Sequence, residues 1–468
     1  MGLEQSRWRK YWEIIRTSLD GSEQSYTTGS INRAIVLLSI PMVLEMIMES
    51  LFAIADVFFV AKIGVDAVAT VGLTESVVTI IYSLAMGLSM AATAMVARRV
   101  GEGKYDAAAW SAMQAIYLGL AISVVLGILG LVFAEDILRG MGASESVLRD
   151  GVGYTRVMLG SNFVITLLFL LNGIFRGAGA AALAMRSLWI ANGLNIILDP
   201  FFIFGWGPFP EMGVMGAAVA TAIGRGVGVL YQLYILFRGK SLLKIAWRHF
   251  TVSWSIIWRL VKVAAGGAGQ NVIASASWIF LMRIVAQFGS EVVAGYTIAI
   301  RLIVFTILPS WGIANAAATL VGQNLGAGQP GRAETSAWRA ASYNMVFLLL
   351  VAIVYMAAAP YFIALLTTEP EVIHAGALCL RILSAGYIFF AYGMVISQSF
   401  NGAGDTRTPT LINLVCFWMM EIPLGYLLAN YTGLEYKGVY WAITISETIL
   451  ALICIWLFRR GRWKDVVI

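Results

Sequence analysis

The chain has 468 residues, of which 59% are hydrophobic and only 12% charged, and its net charge is +6. Soluble domains carry about 25% charged residues, so a polar shell around a globule of this length is excluded. The basic residues fall in loops between apolar stretches, which reads as a membrane-topology signal and not as a face for nucleic acid.

In chain order, the first thirty residues lack the long apolar core of a signal peptide. Trp8, Tyr11, Trp12 and Ile15 recur at helical spacing among Arg7, Arg9, Lys10 and Arg16. That pattern fits a short amphipathic helix on the membrane surface as well as it fits an unordered tail. Apolar spans follow near 34–61, 67–97, 108–133, 153–175, 185–206 and 213–237. Six more lie near 255–286, 292–320, 336–366, 376–400, 409–430 and 438–458. Each is long enough, or nearly so, for the ~20 residues that cross ~30 Å of hydrocarbon. The expected fold is all-α and integral to the membrane, with twelve transmembrane helices. The 47 glycines suit close helix packing. Cys379, Cys416 and Cys454 are isolated in apolar spans and suggest neither disulfide nor metal site.

An even number of spans puts both termini on one side. Arg33, Arg98, Arg99, Lys104, Arg176, Arg186, Arg238, Lys240, Lys244, Arg248, Arg332, Arg339 and Arg407 share that side, against mainly Lys62, Arg139, Arg149 and Lys437 opposite. The positive-inside rule makes the richer side cytoplasmic.

The two halves match at an offset of 225 residues. Gly64-Val65-Asp66-Ala67-Val68-Ala69 matches Gly289-Ser290-Glu291-Val292-Val293-Ala294, and Val100-Gly101-Glu102-Gly103 matches Leu325-Gly326-Ala327-Gly328. Phe175–Gly179 matches Phe400–Gly404, and Gly213-Val214 matches Gly438-Val439. Six spans per copy gives both copies one orientation and a pseudo-two-fold axis along the membrane normal. The expected organisation is a cytoplasmic segment 1–32, an N-lobe 33–237, a cytoplasmic linker 238–254, a C-lobe 255–458 and a tail 459–468.

Charges at membrane depth cost at least ~2.5 kcal/mol each, so their positions are informative. Glu45, Glu49 and Asp56 share one face of the first span. The fifth span carries Asn192, Asn195 and Asp199, followed by Pro200, which frees carbonyls and bends the helix. Carboxylate, amide and hydroxyl oxygens suit a small cation, and a desolvated acid equally suits a proton. Glu421 precedes Ile422-Pro423 in the eleventh span, and Glu75 and Glu447 lie in the second and twelfth. Glu75, Glu447 and the intramembrane Arg156, Arg225, Arg283, Arg301 and Arg381 read as packing ion pairs or snorkelling ends. No Gly-Lys-Ser/Thr follows the Gly-rich turns, so nucleotide binding is not expected.

Ile40-Pro41, Ala55-Asp56-Val57-Phe58-Phe59-Val60, Val321-Gly322-Gln323-Asn324-Leu325-Gly326-Ala327-Gly328-Gln329-Pro330 and Asn401-Gly402-Ala403-Gly404-Asp405-Thr406 resemble the multidrug and toxic compound extrusion (MATE) transporters. The resemblance spans roughly residues 30–460. It implies two six-helix lobes around a central cavity. It also implies export of organic cations and other drugs in exchange for Na+ or H+. Asp56 then matches the coupling acid of span one, and Asn195 and Asp199 match the span-five pair of the DinF-like and archaeal branch. Thr221 matches a hydroxyl ligand in span six, completing a candidate Na+ site of Asp56, Asn195, Asp199 and Thr221. Pro41 matches a bending proline, with Pro200 as a second hinge. Glu49 matches a polar cavity residue, and Glu45, which is not mapped onto a family position, joins it with Asn192 as a cavity candidate. The NorM-like branch has acids in spans seven and ten. Here span seven offers Gln270 and Asn271 and span ten has none, which favours the N-lobe. The same offset turns Asp56 into Leu281 in the C-lobe.

The expected protein is therefore a secondary multidrug exporter working by alternating access, not an enzyme, monomeric and multi-pass in the plasma (inner) membrane. It would use no cofactor beyond Na+ or H+ as coupling ion. Its partners would be small-molecule drugs or organic cations and the bilayer, without nucleic acid or nucleotide. A lipid-linked sugar flippase of the same superfamily and a non-transporting receptor or scaffold are the alternatives.

Overall fold

A computed structural model of the chain describes residues 12–21, 26–238 and 243–468. Among them there is no strand, and the helices fall into twelve spans. Spans one to six are Ile31–Ala61, Val65–Gly101, Tyr105–Gly140, Glu145–Gly177, Ala181–Phe204 and Val214–Arg238. Spans seven to nine are Trp254–Phe288, Ser290–Gly326 and Pro330–Ala364. Span ten is the pair Pro370–Ala385 and Tyr387–Ala403, bent by 60°, and spans eleven and twelve are Arg407–Tyr431 and Tyr436–Arg459.

The duplication is visible in backbone detail. Val65–Gly101 and Ser290–Gly326 are both 37 residues long and lie 225 apart. Span four breaks at Ser161 and span ten at Gly386, again 225 apart. The turns repeat their left-handed glycines, Gly103 (φ 72°) with Gly328 (φ 70°) and Gly179 (φ 83°) with Gly404 (φ 91°). Only glycine reaches such angles without strain. The last sequence match does not hold its register. Span six begins at Val214 and span twelve at Tyr436, an offset of 222, and the left-handed residue before each helix is Gly213 (φ 56°) and Glu435 (φ 54°). The dipeptides Gly213-Val214 and Gly438-Val439 are thus not structural equivalents.

Spans one, two, seven and eight join the lobes. They touch in the half of the bundle that holds the turns at 102–104 and 327–329, where helices approach through glycine. A Cβ on Gly101 would lie 1.9 Å from the Gln323 carbonyl oxygen, and one on Gly326 would lie 2.1 Å from that of Arg98. Gly87 meets the backbone at Ala264 and Ala268, and Gly312 that at Met42 and Val43, each within 2.5–2.8 Å of a Cβ. This end of the bundle is closed.

The tail reinforces the seam. Trp463 is fully buried, stacked on Phe458 at 4.4 Å, and Lys464 pairs with Glu334 at 2.6 Å, which fixes the tail to the C-lobe. Farther on, Arg98 donates to the Val466 carbonyl (2.9 Å), Arg99 donates to that of Ile468 (3.1 Å), and the Ile468 side chain packs into the N-lobe core. The linker docks on span three, where Gln114 both donates to Thr251 O (3.0 Å) and accepts from Ser253 N (2.9 Å). Of the N-terminal segment, Trp8, Tyr11, Arg7, Arg9 and Lys10 lie outside the described residues, as does Lys240 of the linker. Residues 12–20 are helical, with Ser18 buried and Trp12 and Ile15 exposed, and Arg186 donates to Leu19 O.

Candidate cation and substrate site

Span five is apolar enough to insert yet carries Asn192, Asn195 and Asp199, all with no exposed surface. A carboxyl and two amides can be buried so only if something satisfies them. Asn195 donates to Thr221 Oγ1 of span six at 3.0 Å and to Asp199 Oδ1 at 3.4 Å. Gly224 permits this approach, because a Cβ there would sit 3.0 Å from the Asn195 nitrogen. Asn195 Oδ1 and Asp199 Oδ2 remain buried without a partner. The cluster is short of donors and rich in acceptors. That chemistry fits a small cation or a proton, and the residues present fit a Na+ ion with Asp199, Asn195 and Thr221 as oxygen ligands. Pro200 follows directly, within the same helix.

Asp56 lies five residues before Ala61, the end of span one. It is half-buried and has neither hydrogen-bond nor ion-pair partner among the described residues. Its charge acts on Asp199, and it feels the charges of Glu75 and Arg225. Asp56 is thus a neighbour of the Asn195 cluster in charge, without a hydrogen bond to it. Glu75 is exposed and makes no ion pair within 4 Å among the described residues.

The other acids of span one are compensated. Glu49 accepts from Asn192 at 2.8 Å and pairs with Arg225 of span six at 3.3 Å. Arg225 is 1% exposed, donates to Tyr82 at 2.7 Å and lies over the Phe52 ring at 5.0 Å. Glu45 is 1% exposed and faces span four, where it accepts from Asn172 at 3.0 Å and pairs with Arg176 at 3.5 Å. Arg176, expected as a cytoplasmic loop charge, is instead a buried partner for that acid. Asn172 and Gln232 extend this network. Of the acids on spans one and five, those without a cationic partner among the described residues are therefore Asp56 and Asp199. Arg225 and Arg176 belong to the site's framework, and no spacing within a single span identifies them.

Of the span-seven amides, Gln270 is engaged in a reciprocal pair with Asn401 (2.9 and 3.1 Å). Asn271 donates to Gly267 O of its own helix at 3.0 Å and is half-buried. Pro41 is buried in span one beside the Gly312 crossing.

The C-lobe does not repeat the cluster. Span five starts at Ala181 and span eleven at Arg407, so the counterparts of Asn195 and Asp199 are Glu421 and Gly425. The register of span twelve turns Thr221 into Ile443 and Arg225 into Glu447. Leu281, the counterpart of Asp56, approaches a Cβ on Gly425 to 3.4 Å. Apolar groups fill the place that the N-lobe gives to Asp56, Asp199 and Thr221.

The MatE family model matches the chain twice, over residues 41–201 and 268–427, one match per lobe. The probable multidrug resistance protein NorM of Thermotoga maritima is 26% identical over 439 residues, 93% of either chain. The FAD transporter of Shewanella oneidensis is 26% identical over 436 residues, 92% of this chain and 95% of its own. The solved outward-facing conformation of a multidrug resistance MATE family transporter of the MOP superfamily has a TM-score of 0.88 at 29% identity, covering 94% of this chain and 98% of its own. A MOP superfamily transporter from Pyrococcus furiosus, described as having a binding pocket of reversed polarity, has a TM-score of 0.89 at 29% identity, with coverage of 95% and 99%.

Proposed function

Because the chain belongs to the MatE family of multidrug-efflux membrane transporters, we propose that it exports amphipathic, mainly cationic compounds in antiport with Na+ or H+. It is a transporter and not an enzyme. The observation that carries the coupling is the buried Asn195–Thr221–Asp199 cluster with its two unpartnered oxygens.

The closed end carries the basic turns and is cytoplasmic, with both termini beside it. The lobes divide near 237 and 255, and the linker joins them on that side. The coupling cation then reaches Asp199 and Asp56 in the half of the N-lobe away from the seam. Its charge neutralises the two acids and weakens their hold on a cationic drug. A ligand shifts such a balance only by its differential affinity for the two states. Cationic cargo is favoured because Glu45 and Glu49 are already matched by arginines, leaving Asp56 as an unpaired acid facing a half-buried environment. Within the family the chain sits nearer the DinF-like branch than NorM, since span ten has no acid and Gln270 is bound to Asn401.

The test is dye efflux from proteoliposomes holding the purified protein as a monomer, with Na+ and H+ gradients imposed separately. Efflux driven by either gradient and lost in Asp199→Asn supports the reading. Full gradient-driven efflux in both Asp56→Asn and Asp199→Asn overturns it.

A further inference from the structure

The mechanism above leaves two intramembrane carboxyls of the C-lobe unused. Span eleven is α-helical over Arg407–Asn413, widens to a π-helix over Leu414–Glu421, and resumes as α-helix at Ile422. Pro423 has no N–H and crowds the carbonyl four residues earlier, so a widened turn just before it is expected. Such π turns hold a side chain where a regular helix would not. The side chain held here is Glu421, 3% exposed, whose Oε2 has no partner.

Glu447 of span twelve faces the same interface. Cys416, Leu450 and Cys454 pack in one cluster between spans eleven and twelve. Glu421 lies one π turn beyond Cys416. Glu447 lies three residues before Leu450 and seven before Cys454, on their face of the helix. Its charge acts on Glu421. Ser446, fully buried with an unpartnered Oγ, lies four residues before Leu450 and occupies the counterpart of Gly224, the residue that abuts Asn195 in the other lobe.

No counter-ion serves this pair. Where the N-lobe places Arg225, the C-lobe has Glu447 itself. Tyr296 of span eight, Cys416 and Cys454 are titratable groups that feel the charge of the pair, and none of them is a cation. Arg283 and Arg301 are exposed, and Arg381 donates to Met356 O at 3.3 Å. Two ionised carboxylates without a cation in apolar surroundings are prohibitively costly, and the group neutralises instead. Interacting carboxyls of this kind bind protons as a unit. With Leu281, Gly425 and Ile443 in place of the N-lobe ligands, the site offers few oxygens for a metal ion.

We propose that Glu421, with Glu447 beside it, forms a second ion site, in the C-lobe, whose ligand is a proton bound on the carboxyls. The transporter thus takes up protons at a place separate from Asp56 and Asp199.

The test is infrared difference spectroscopy of the full chain in liposomes, following the carboxylic-acid C=O band across a pH titration. The Asp56→Asn/Asp199→Asn background removes the two N-lobe acids proposed to couple transport, so this result is independent of whether those residues do so. The expected result is a protonated-carboxyl band that persists in this background, is diminished in Glu421→Gln and in Glu447→Gln, and falls furthest in the double variant. Should Glu421→Gln fail to fold, the half-buried Glu447→Gln carries the test alone. An undiminished band in Glu447→Gln, or in the double variant, overturns the proposal. So does bleaching of the band by Na+ at constant pH, which would make the site one for a metal cation. A role in packing alone would give a band that does not change across the pH titration, and that result also overturns the proposal.

Discussion

Gly101→Ala should open the closed end of the bundle. Alanine is the better helix former by about 1 kcal/mol, and Gly101 is the last residue of a helix without a positive φ. Any loss must therefore come from the lobe contact. The new methyl would lie 1.9 Å from Gln323 O, a backbone atom that cannot swing away. Restoring ordinary contact near 3.5 Å requires spans two and eight to separate by about 1.5 Å. Overpacking of this kind costs about 1–3 kcal/mol. If all of it falls on the closed state, the balance of states moves by roughly 5- to 150-fold. Spin labels at Tyr105→Cys and Gly331→Cys, both exposed, report the separation by double electron–electron resonance. Cys379, Cys416 and Cys454 have no exposed surface and will not take up label. The expected result is a longer and broader distance distribution in Gly101→Ala. An unchanged distribution, with unchanged efflux, would refute the view that this glycine seam sets the closed state.

Thr221→Val keeps the shape of the span-six ligand but removes the acceptor for Asn195, so ion-driven efflux should fall at least tenfold while dye binding is retained. Equal loss of dye binding would show a general packing defect instead. Arg225→Gln leaves the half-buried Glu49 with Asn192 as its remaining partner, which should cost less than the about 3–5 kcal/mol of a fully buried pair. A thermal melt in detergent should show a clear drop in Tm, largely rescued by adding Glu49→Gln. Trp463→Ala removes the tail's anchor on Phe458, at a cost of about 3–5 kcal/mol for a buried aromatic. It should free Ile468 and make the seam accessible, seen as faster proteolysis near residue 460.

The spans were legible because a bilayer demands long apolar runs, and the duplication because glycine is needed at matching left-handed turns, as at Gly103 and Gly328. The lobe cores follow from those two facts. The ion pairs were not legible. Glu45 and Glu49 sit four apart on span one, yet they face Arg176 of span four and Arg225 of span six, and spacing on one helix says nothing about its neighbours. The slip of span twelve to an offset of 222 was hidden by a chance Gly-Val match, since the left-handed position there is filled by Glu435 and not glycine. Gln270 looked like a cavity amide because a polar residue at depth needs a partner, and that partner, Asn401, lies 131 residues away.

The placement of the groups also constrains how coupling could act. The Asn195–Thr221–Asp199 cluster lies within spans five and six, toward the end away from the seam, so a cation there cannot push on the C-lobe directly. Span one is the element that meets both. Its Leu44 carbonyl accepts from Trp189 of span five at 3.1 Å, and Glu49 accepts from Asn192 of the same span. Just before Leu44, Met42 and Val43 press against Gly312 of span eight, directly after Pro41. Under the proposed antiport, a charge change felt by Asp56 and Asp199 must therefore travel along span one past Pro41 to reach the Gly312 crossing. The proline removes one backbone hydrogen bond at the point where the helix would have to bend. Pro41→Ala should accordingly stiffen span one and slow ion-driven efflux while leaving ion binding at Asp199 intact. If Pro41→Ala weakened ion binding and efflux in equal measure, the proline would act on the site itself, and this route between the lobes would be wrong.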